Sequence, residues 1–297
     1  MFAQHDRDIR SKAKTEYSSY PDEMYVHREK VQSERAVYQG KTIVTIDPGK
    51  QNIIFAVNAA AIQHQDGSLR ASTLRYTARQ RDFETKREEA KAKAEAVRAI
   101  TPAMQGRTLE EWESWLSTHP SRRTLDPVAF RAHIIAYYTY AAATNDFWID
   151  KFHRKQRLDA YRRKQRSEAR LVNAFKATFG DPSDVIVAFG DGARNGLCGR
   201  APGPSTAIRR LLQRSHYSVL DVYEPYTSKR CFACKRPDAN NTPCRIDAKG
   251  SNAWGVLRCC RCGTTWARDF NACLNIDRLA HEHLAGFTLP EYLCKGG

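Results

Sequence analysis

Two Cys-x-x-Cys knuckles, Cys231-Phe232-Ala233-Cys234 and Cys259-Cys260-Arg261-Cys262, are separated by 24 residues. Each such turn can aim two thiolates at one point, and four thiolates complete a tetrahedral shell for Zn2+. The gap is longer than the about 15–20 residues common between such pairs. The Asn-, Asp- and Gly-rich residues 238–252 read as a loop that absorbs the excess. Cys260 and Cys244 compete for a ligand place. Four cysteines close the shell, so the expected zinc is structural and folds a segment with little apolar core. Cys198, Cys273 and Cys294 stand alone and read as ordinary thiols.

Four carboxylates fall where secondary structure is expected to begin or end. Asp47 closes a strand-like run before Pro48-Gly49, and Asp191 follows the apolar run 185–189. Glu224 ends the run 217–224, and Asp269 follows the second knuckle at a helix start. Each has a plainer role available: a helix cap for Asp269, a turn for Asp47 or Asp191, a surface charge for Glu224. In an open α/β sheet, however, such positions converge on one crevice. Three carboxylates meeting there would hold Mg2+ through oxygen, and two ions could support phosphodiester cleavage.

The elements that must position these groups follow from pattern. Residues 42–47, 53–57 and about 68–76 read as a β-meander, with turns at Pro48-Gly49 and Asp66-Gly67. Residues 81–100 are rich in Ala, Glu, Lys and Arg and predict a helix closed by Pro102. A short helix is expected near 109–116, and a long helical stretch over 127–179, as one helix or two. Its first part, Phe130 to Tyr138, is apolar enough to predict a core-facing helix. Val185-Ile186-Val187-Ala188-Phe189 predicts a buried central strand. A helix at 205–215, a strand at 217–224 and a last helix at 269–284 complete an α/β layer architecture with a small metal-bound insertion.

Charge indicates the partner. The 297 residues carry 48 Lys and Arg against 33 Asp and Glu, a net +15. Such an excess points to a polyanion, most simply nucleic acid. Residues 151–176 hold ten of the cations and only Asp159 and Glu168 as acids. Arg154, Lys155, Arg157, Arg162, Arg163, Lys164 and Arg166 are therefore candidates for phosphate contacts, against the plainer alternative of a solvated face. No apolar run approaches a membrane span, and Met1 to Arg7 lack the apolar core of a secretion signal. The expected location is intracellular, not secreted, in a compartment that keeps thiols reduced.

Taken in order, these residues resemble a known family. Ile46-Asp47-Pro48-Gly49 resembles the first motif of RuvC nucleases. Thr227-Ser228-Lys229-Arg230-Cys231 before the first knuckle, and Arg268-Asp269-Phe270-Asn271-Ala272 after the second, resemble the zinc ribbon and third RuvC motif of TnpB-type transposon nucleases. The resemblance covers about residues 41–285. It implies an RNase H-like (RuvC) mixed sheet flanked by helices, with a long helical insertion and an inserted zinc ribbon. The implied order is a charged lead-in over 1–40, a RuvC-like core over 41–230 with the insertion at 81–180, the ribbon at 231–262, and a C-terminal helix and tail at 263–297. It also implies metal-dependent, RNA-guided DNA cleavage, with DNA and a guide RNA as partners and Mg2+ as the catalytic cofactor.

One departure narrows the resemblance. TnpB proteins usually carry a glutamate at the end of the second-motif strand, whereas here that strand runs into Phe189-Gly190-Asp191-Gly192. That is similar to the eukaryotic relatives called Fanzor, in which a glutamate nearer the ribbon serves instead, and in such a source the location would be nuclear. Glu224 matches that position, which implies Asp47, Glu224 and Asp269 as the triad and Asp191 as helper or substitute. The family also has a recognition region ahead of the first motif, where about 40 residues stand here. The alternative expectation is thus a truncated, inactive nucleic-acid-binding remnant. A zinc-ribbon transcription or translation factor would explain the cysteines but not Asp47 and its hairpin.

Overall fold

A computed structural model describes residues 38, 40–61, 71–103, 106–118, 122–190, 204–222, 226–234, 243–245, 255–259, 261–285 and 293. The chain divides into two compact units: Met1–Ala78 with Arg170–Gly297, and Arg79–Ala169.

The first unit is built on a five-stranded sheet. Its strands are β1 (Thr42–Pro48), β2 (Asn52–Asn58), β3 (Ser72–Thr77), β4 (Val185–Gly190) and β5 (Ser218–Val222), in the spatial order β3-β2-β1-β4-β5. The β1–β2 and β2–β3 pairs are antiparallel, as a meander of short connections requires. The β1–β4 and β4–β5 pairs are parallel and need crossovers. This mixed order is the RNase H-like arrangement expected from the sequence. β4 lies between two parallel neighbours and is buried along its whole length, which accounts for its unbroken apolar run.

Alternation along the strands divides the core in two. Val44, Ile46, Val187, Phe189 and Val219 point to one face, where they meet Leu171, Phe175 and Phe179 near a helix C-terminus and Ile208 and Leu212 on a second helix. Ile43, Ile186, Ala188, Leu220 and Val222 point to the other face, against Ile276, Leu279 and Ala280. The two helices on the first face are the end of α5 (Lys151–Phe179) and α6 (Ser205–Arg214), and the opposite face is covered by α7 (Arg268–Ala285). A helix sheltering each face of one sheet leaves only its edges to water.

The second unit is helical: α1 (Ala78–Thr85), α2 (Arg87–Ile100), α3 (Leu109–Thr118), α4 (Pro127–Ile149) and most of α5. Local chemistry sets the helix starts. Asp126 accepts from the Val128 amide ahead of Pro127, a cap followed by proline in the first turn. Thr108 and Glu111 exchange backbone-to-side-chain hydrogen bonds of 2.8 and 3.3 Å, a capping box at the start of α3. Leu109 and Trp112 of α3 pack on Tyr140 of α4, with Trp115, Leu116 and Phe147 around them. The expectation of a core-facing Phe130–Tyr138 segment is not met: Phe130, Ile134, Ile135, Tyr137 and Tyr138 are all exposed. Among the described residues, the buried positions of α4 are Tyr140 and Thr144. Apolar content predicts a need for cover but does not supply it.

Candidate active site

The hairpin after β1 depends on two residues that sequence alone labels only as turn formers. Pro48 cannot donate a ladder hydrogen bond. A side chain at Gly49 would place its Cβ 2.6 Å from the Asn52 carbonyl oxygen, so only glycine fits. The Gly49 amide donates to the Ile53 carbonyl at 3.3 Å, and β2 turns back with Phe55 opposite Asp47. By alternation Asp47 lies on the same face as Ile43 and Thr45, the face that α7 covers.

Asp269 sits in the first turn of α7, where a carboxylate is favoured by the unpaired amides of the helix start. It lies close enough to Asp47 for its charge to act on the Asp47 carboxyl. Burial, then the charge of Asp269, push the Asp47 carboxyl up to about 7, with Arg268 opposing. Asn52 completes the group: its Nδ2 donates to Asp269 Oδ2 at 2.5 Å. One turn further along α7, the buried Cys273 donates its thiol to the Phe55 carbonyl at 3.2 Å. Burial, with Asp47 adding to it, holds that thiol well above its ordinary range. Cys273 is therefore a neutral floor beneath the acids, in line with its reading as an ordinary thiol.

The fold thus brings together Asp47 and Asp269, 222 positions apart, with Asn52 bonded to Asp269. Asp191 and Glu224 lie outside the described residues. The strands that precede them end at Gly190 and Val222, at the sheet edge shared with Asp47, since Ile46 pairs with Phe189 and Phe189 with Asp221. Asp221 is an acid at that edge that the sequence did not single out. Arg209 of α6 holds both of its oxygens, at 2.6 and 2.8 Å, and so occupies it. A buried carboxyl held above its usual range beside a second carboxylate suits a hard divalent cation, whose charge would relieve the burial and the repulsion at Asp47.

The cysteines form a second cluster. The sulfurs of Cys231, Cys234, Cys259 and Cys262 all lie within 4.8 Å of one another. Cys231 and Cys262 are 3.7 Å apart, and Cys234 and Cys259 are 3.4 Å apart. A tetrahedral zinc with ~2.3 Å bonds sets sulfurs about 3.8 Å apart, so this set can hold a structural zinc. Cys260 lies outside the described residues, as does the Cys244 side chain. The cluster sits on a three-stranded antiparallel sheet, β6 (Pro243–Arg245), β7 (Val256–Cys259) and β8 (Thr265–Ala267), where the sequence suggested only loops. Trp266 donates its indole N–H to Cys231 Sγ at 3.3 Å.

Two asparagines fasten this cluster to the acid-bearing helix. Asn271 and Asn275, one turn apart on α7 and both fully buried, donate to the carbonyls of Thr227 and Arg230 at 2.8–3.2 Å. The Asn271 oxygen accepts from the Phe232 amide at 3.0 Å. The turn ahead of the first knuckle is therefore pinned to the helix that begins at Asp269. The Asn-x-x-x-Asn spacing was the available signal.

The basic residues of α5 lie outside both clusters. Arg154, Lys155, Arg157, Arg162, Lys164 and Arg166 are exposed and Arg163 is half-buried. At about 100° per residue they surround the helix rather than forming one stripe. Lys164 pairs with Glu168 at 3.7 Å. Among the described residues no helix is long and apolar enough to cross a membrane.

Comparison with known proteins adds two kinds of similarity. Among solved structures, the chain is similar to the mini RNA-guided endonuclease CRISPR-Cas phi3 at 13% identity and a TM-score of 0.49, over 89% of this chain and 48% of that one. It is also similar to CasPhi-2 (Cas12j) bound to crRNA and phosphorothioate DNA, at 18% identity and a TM-score of 0.43, over 90% and 48%. The chain thus spans about half the length of these nucleases. No curated protein matches it. Residues 206–276, which run from α6 through both knuckles and past Asp269 into α7, match the family model of the Cas12f1-like TNB domain.

Proposed function

We propose that the chain is a RuvC-like, Mg2+-dependent DNA endonuclease of the TnpB and Fanzor kind, guided by RNA. The observation that carries this reading is the meeting of Asp47 and Asp269 at one sheet edge, with Asn52 bonded to Asp269. The match of residues 206–276 to a Cas12f1-like TNB domain supports it, because that segment holds both Asp269 and the four cysteines.

In this reading Asp47 and Asp269 are metal ligands and Glu224 is the third. Asp191 is a helper on the neighbouring strand end. Mg2+, when bound, polarises the scissile phosphate and lowers the pKa of an attacking water. Asn52 leaves one oxygen of Asp269 free by occupying the other. Cys231, Cys234, Cys259 and Cys262 hold a structural zinc that keeps the start of α7 in place. The cations of α5 bind phosphates of guide or target.

The test is a plasmid-nicking assay with Mg2+ and a candidate guide RNA. Asp47→Ala, Glu224→Ala and Asp269→Ala should each lose cleavage by at least about 100-fold, as expected when a metal site loses a ligand, with nucleic-acid binding nearly intact. Asp191→Ala should lose less. Cleavage that survives Glu224→Ala but not Asp191→Ala would reassign the third ligand. Unmodified protein that binds DNA and guide but never cuts would overturn the enzyme in favour of a binding protein.

A further inference from the structure

In the segment Arg268-Asp269-Phe270-Asn271, Asp269 belongs to the acid cluster and Asn271 holds the ribbon turn. Arg268 has had no part so far. It is the first residue of α7, where the unpaired amides favour an acid and a cation gains nothing from the helix. Its backbone amide donates to the Gly255 carbonyl at 2.9 Å, which fixes its main chain beside the start of β7. Its side chain is half-buried and lies near enough to Asp47 for its charge to oppose the effects of burial and of Asp269. Yet neither acid engages it. Among the described residues the Arg268 guanidinium makes no ion pair and no hydrogen bond, and both Asp47 and Asp269 are among them. Arg209 of α6 is the contrast, since Asp221 takes it with both oxygens at 2.6 and 2.8 Å.

We propose that Arg268 binds a non-bridging oxygen of the substrate phosphate on which the acid site acts. This rests on the metal-dependent nuclease reading above and adds a residue that touches its substrate. The guanidinium suits the task, because its planar fork matches two phosphate oxygens and its charge does not titrate. Its position argues against a role in holding metal. A fixed cation beside two metal-binding acids repels a second cation, and so weakens metal binding while the site lacks substrate. A bound phosphate reverses the sign, since the anion is attracted by the guanidinium and by the metal alike. An arginine clamp on a reacting phosphate also stabilises the charge that develops there. A substrate ligand and a support for the metal site therefore leave opposite signatures when Arg268 is removed. The first leaves metal binding intact or tighter and uncouples it from the nucleic acid. The second weakens metal binding outright.

The experiment titrates Mn2+ by electron paramagnetic resonance into the full-length, zinc-loaded chain, with and without a short oligothymidylate whose own Mn2+ binding is subtracted. In the wild type the oligonucleotide should tighten Mn2+ binding by about tenfold, within the range usual for coupled sites. Arg268→Ala should bind Mn2+ alone at least as tightly as the wild type and lose most of that coupling. Arg268→Lys, which keeps the charge but not the fork, should fall between them. In single-turnover nicking at saturating Mg2+, Arg268→Ala should lose about 100–1,000-fold in rate, the usual cost of removing a donor to developing charge. Its half-saturating Mg2+ concentration should not rise. Unchanged zinc content and melting temperature show that the variant is folded, and Arg268→Gln replaces it if they change. Weaker Mn2+ binding without oligonucleotide, or coupling equal to that of the wild type, would overturn the proposal. Mn2+ binding that is indifferent to Asp47→Ala would overturn the metal-site reading beneath it, so the two failures are told apart.

Discussion

The Asn52 amide donates to Asp269 Oδ2 at 2.5 Å, and so links the hairpin that follows Asp47 to the first turn of α7. The bond joins a residue of the Asp47 hairpin to an acid 217 positions further along the chain. It engages one oxygen of the Asp269 carboxylate, and in the proposed reading the other is the metal ligand.

Removing the bond should therefore affect metal use more than folding. Partners that orient a ligand typically contribute about 10–100-fold to metal affinity. Asn52→Ala should raise the Mg2+ or Mn2+ concentration for half-maximal nicking by that factor, with most of the rate restored at saturating metal. Asn52→Asp should do worse, because a third carboxylate would face Asp269. Titrating Mn2+ by its electron paramagnetic resonance signal gives the same comparison without turnover. An unchanged metal requirement in Asn52→Ala would show the bond to be idle.

The raised pKa of Asp47 makes a prediction about stability. The group titrates near 3.8 when unfolded and at about 7 when folded. Between these values the unfolded chain has released the proton and the folded chain has kept it. Stability therefore falls as pH rises from about 4 to about 7, and the loss is complete above that. Three units correspond to at most about 4 kcal/mol. In buffer without added divalent cation, Asp47→Asn should melt above wild type at pH 8 and equal to it at pH 4. Added Mg2+ should raise the wild-type melting temperature at pH 8 and leave Asp47→Asn unmoved. Equal melting of the two proteins at both pH values would mean that Asp47 is not strained in the metal-free site.

What the sequence disclosed and what it withheld divide along physical lines. Val185–Phe189 announced a central strand because burial on both faces permits no polar position. Asp47 and Asp269 were visible because turn and helix-start chemistry surround them locally. Asn52 was not, because its partner lies 217 residues away and its own neighbourhood reads only as a turn. Asn271 was visible only as a motif residue and Asn275 not at all, because their acceptors are backbone carbonyls more than 40 residues away. The strands β6 to β8 are three or four residues long, too short for alternation to register. The segment Phe130–Tyr138 misled because apolar content does not tell a covered helix face from an exposed one.

The pinning of the ribbon to α7 should appear in thermodynamics. Asn271 makes three hydrogen bonds from a fully buried position. Leaving those groups unpaired costs about 1–3 kcal/mol each in the least relaxed case. Asn271→Ala should destabilise by about 2–4 kcal/mol and speed zinc loss to a chromogenic chelator. Asn271→Asp should be worse, since it keeps the acceptor for Phe232 but turns a charged oxygen toward two carbonyls. Elemental analysis of the wild type should find one zinc per chain. Zinc-free protein with all thiols freely titratable would remove the ribbon from the argument.

The last prediction concerns α5, whose cations surround the helix rather than lining one face. If phosphates approach it from more than one side, as they would between a guide and a target strand, each neutralised phosphate releases condensed counterions. Log K then falls linearly with log salt, by ~0.7–0.9 per contact. Arg162 and Lys164 are exposed, and Arg163 between them is half-buried. Replacing the three by alanine should weaken binding to RNA and DNA alike and reduce the slope by about 2, fewer than three full contacts because Lys164 is partly engaged by Glu168 at 3.7 Å. Sequence preference should not change, because these contacts would be to the backbone. A slope equal to that of the wild type would show that the helix is merely solvated, and the search for the phosphate-binding surface would move to the basic residues of α6 and the knuckle turn, Arg210, Arg214 and Lys229.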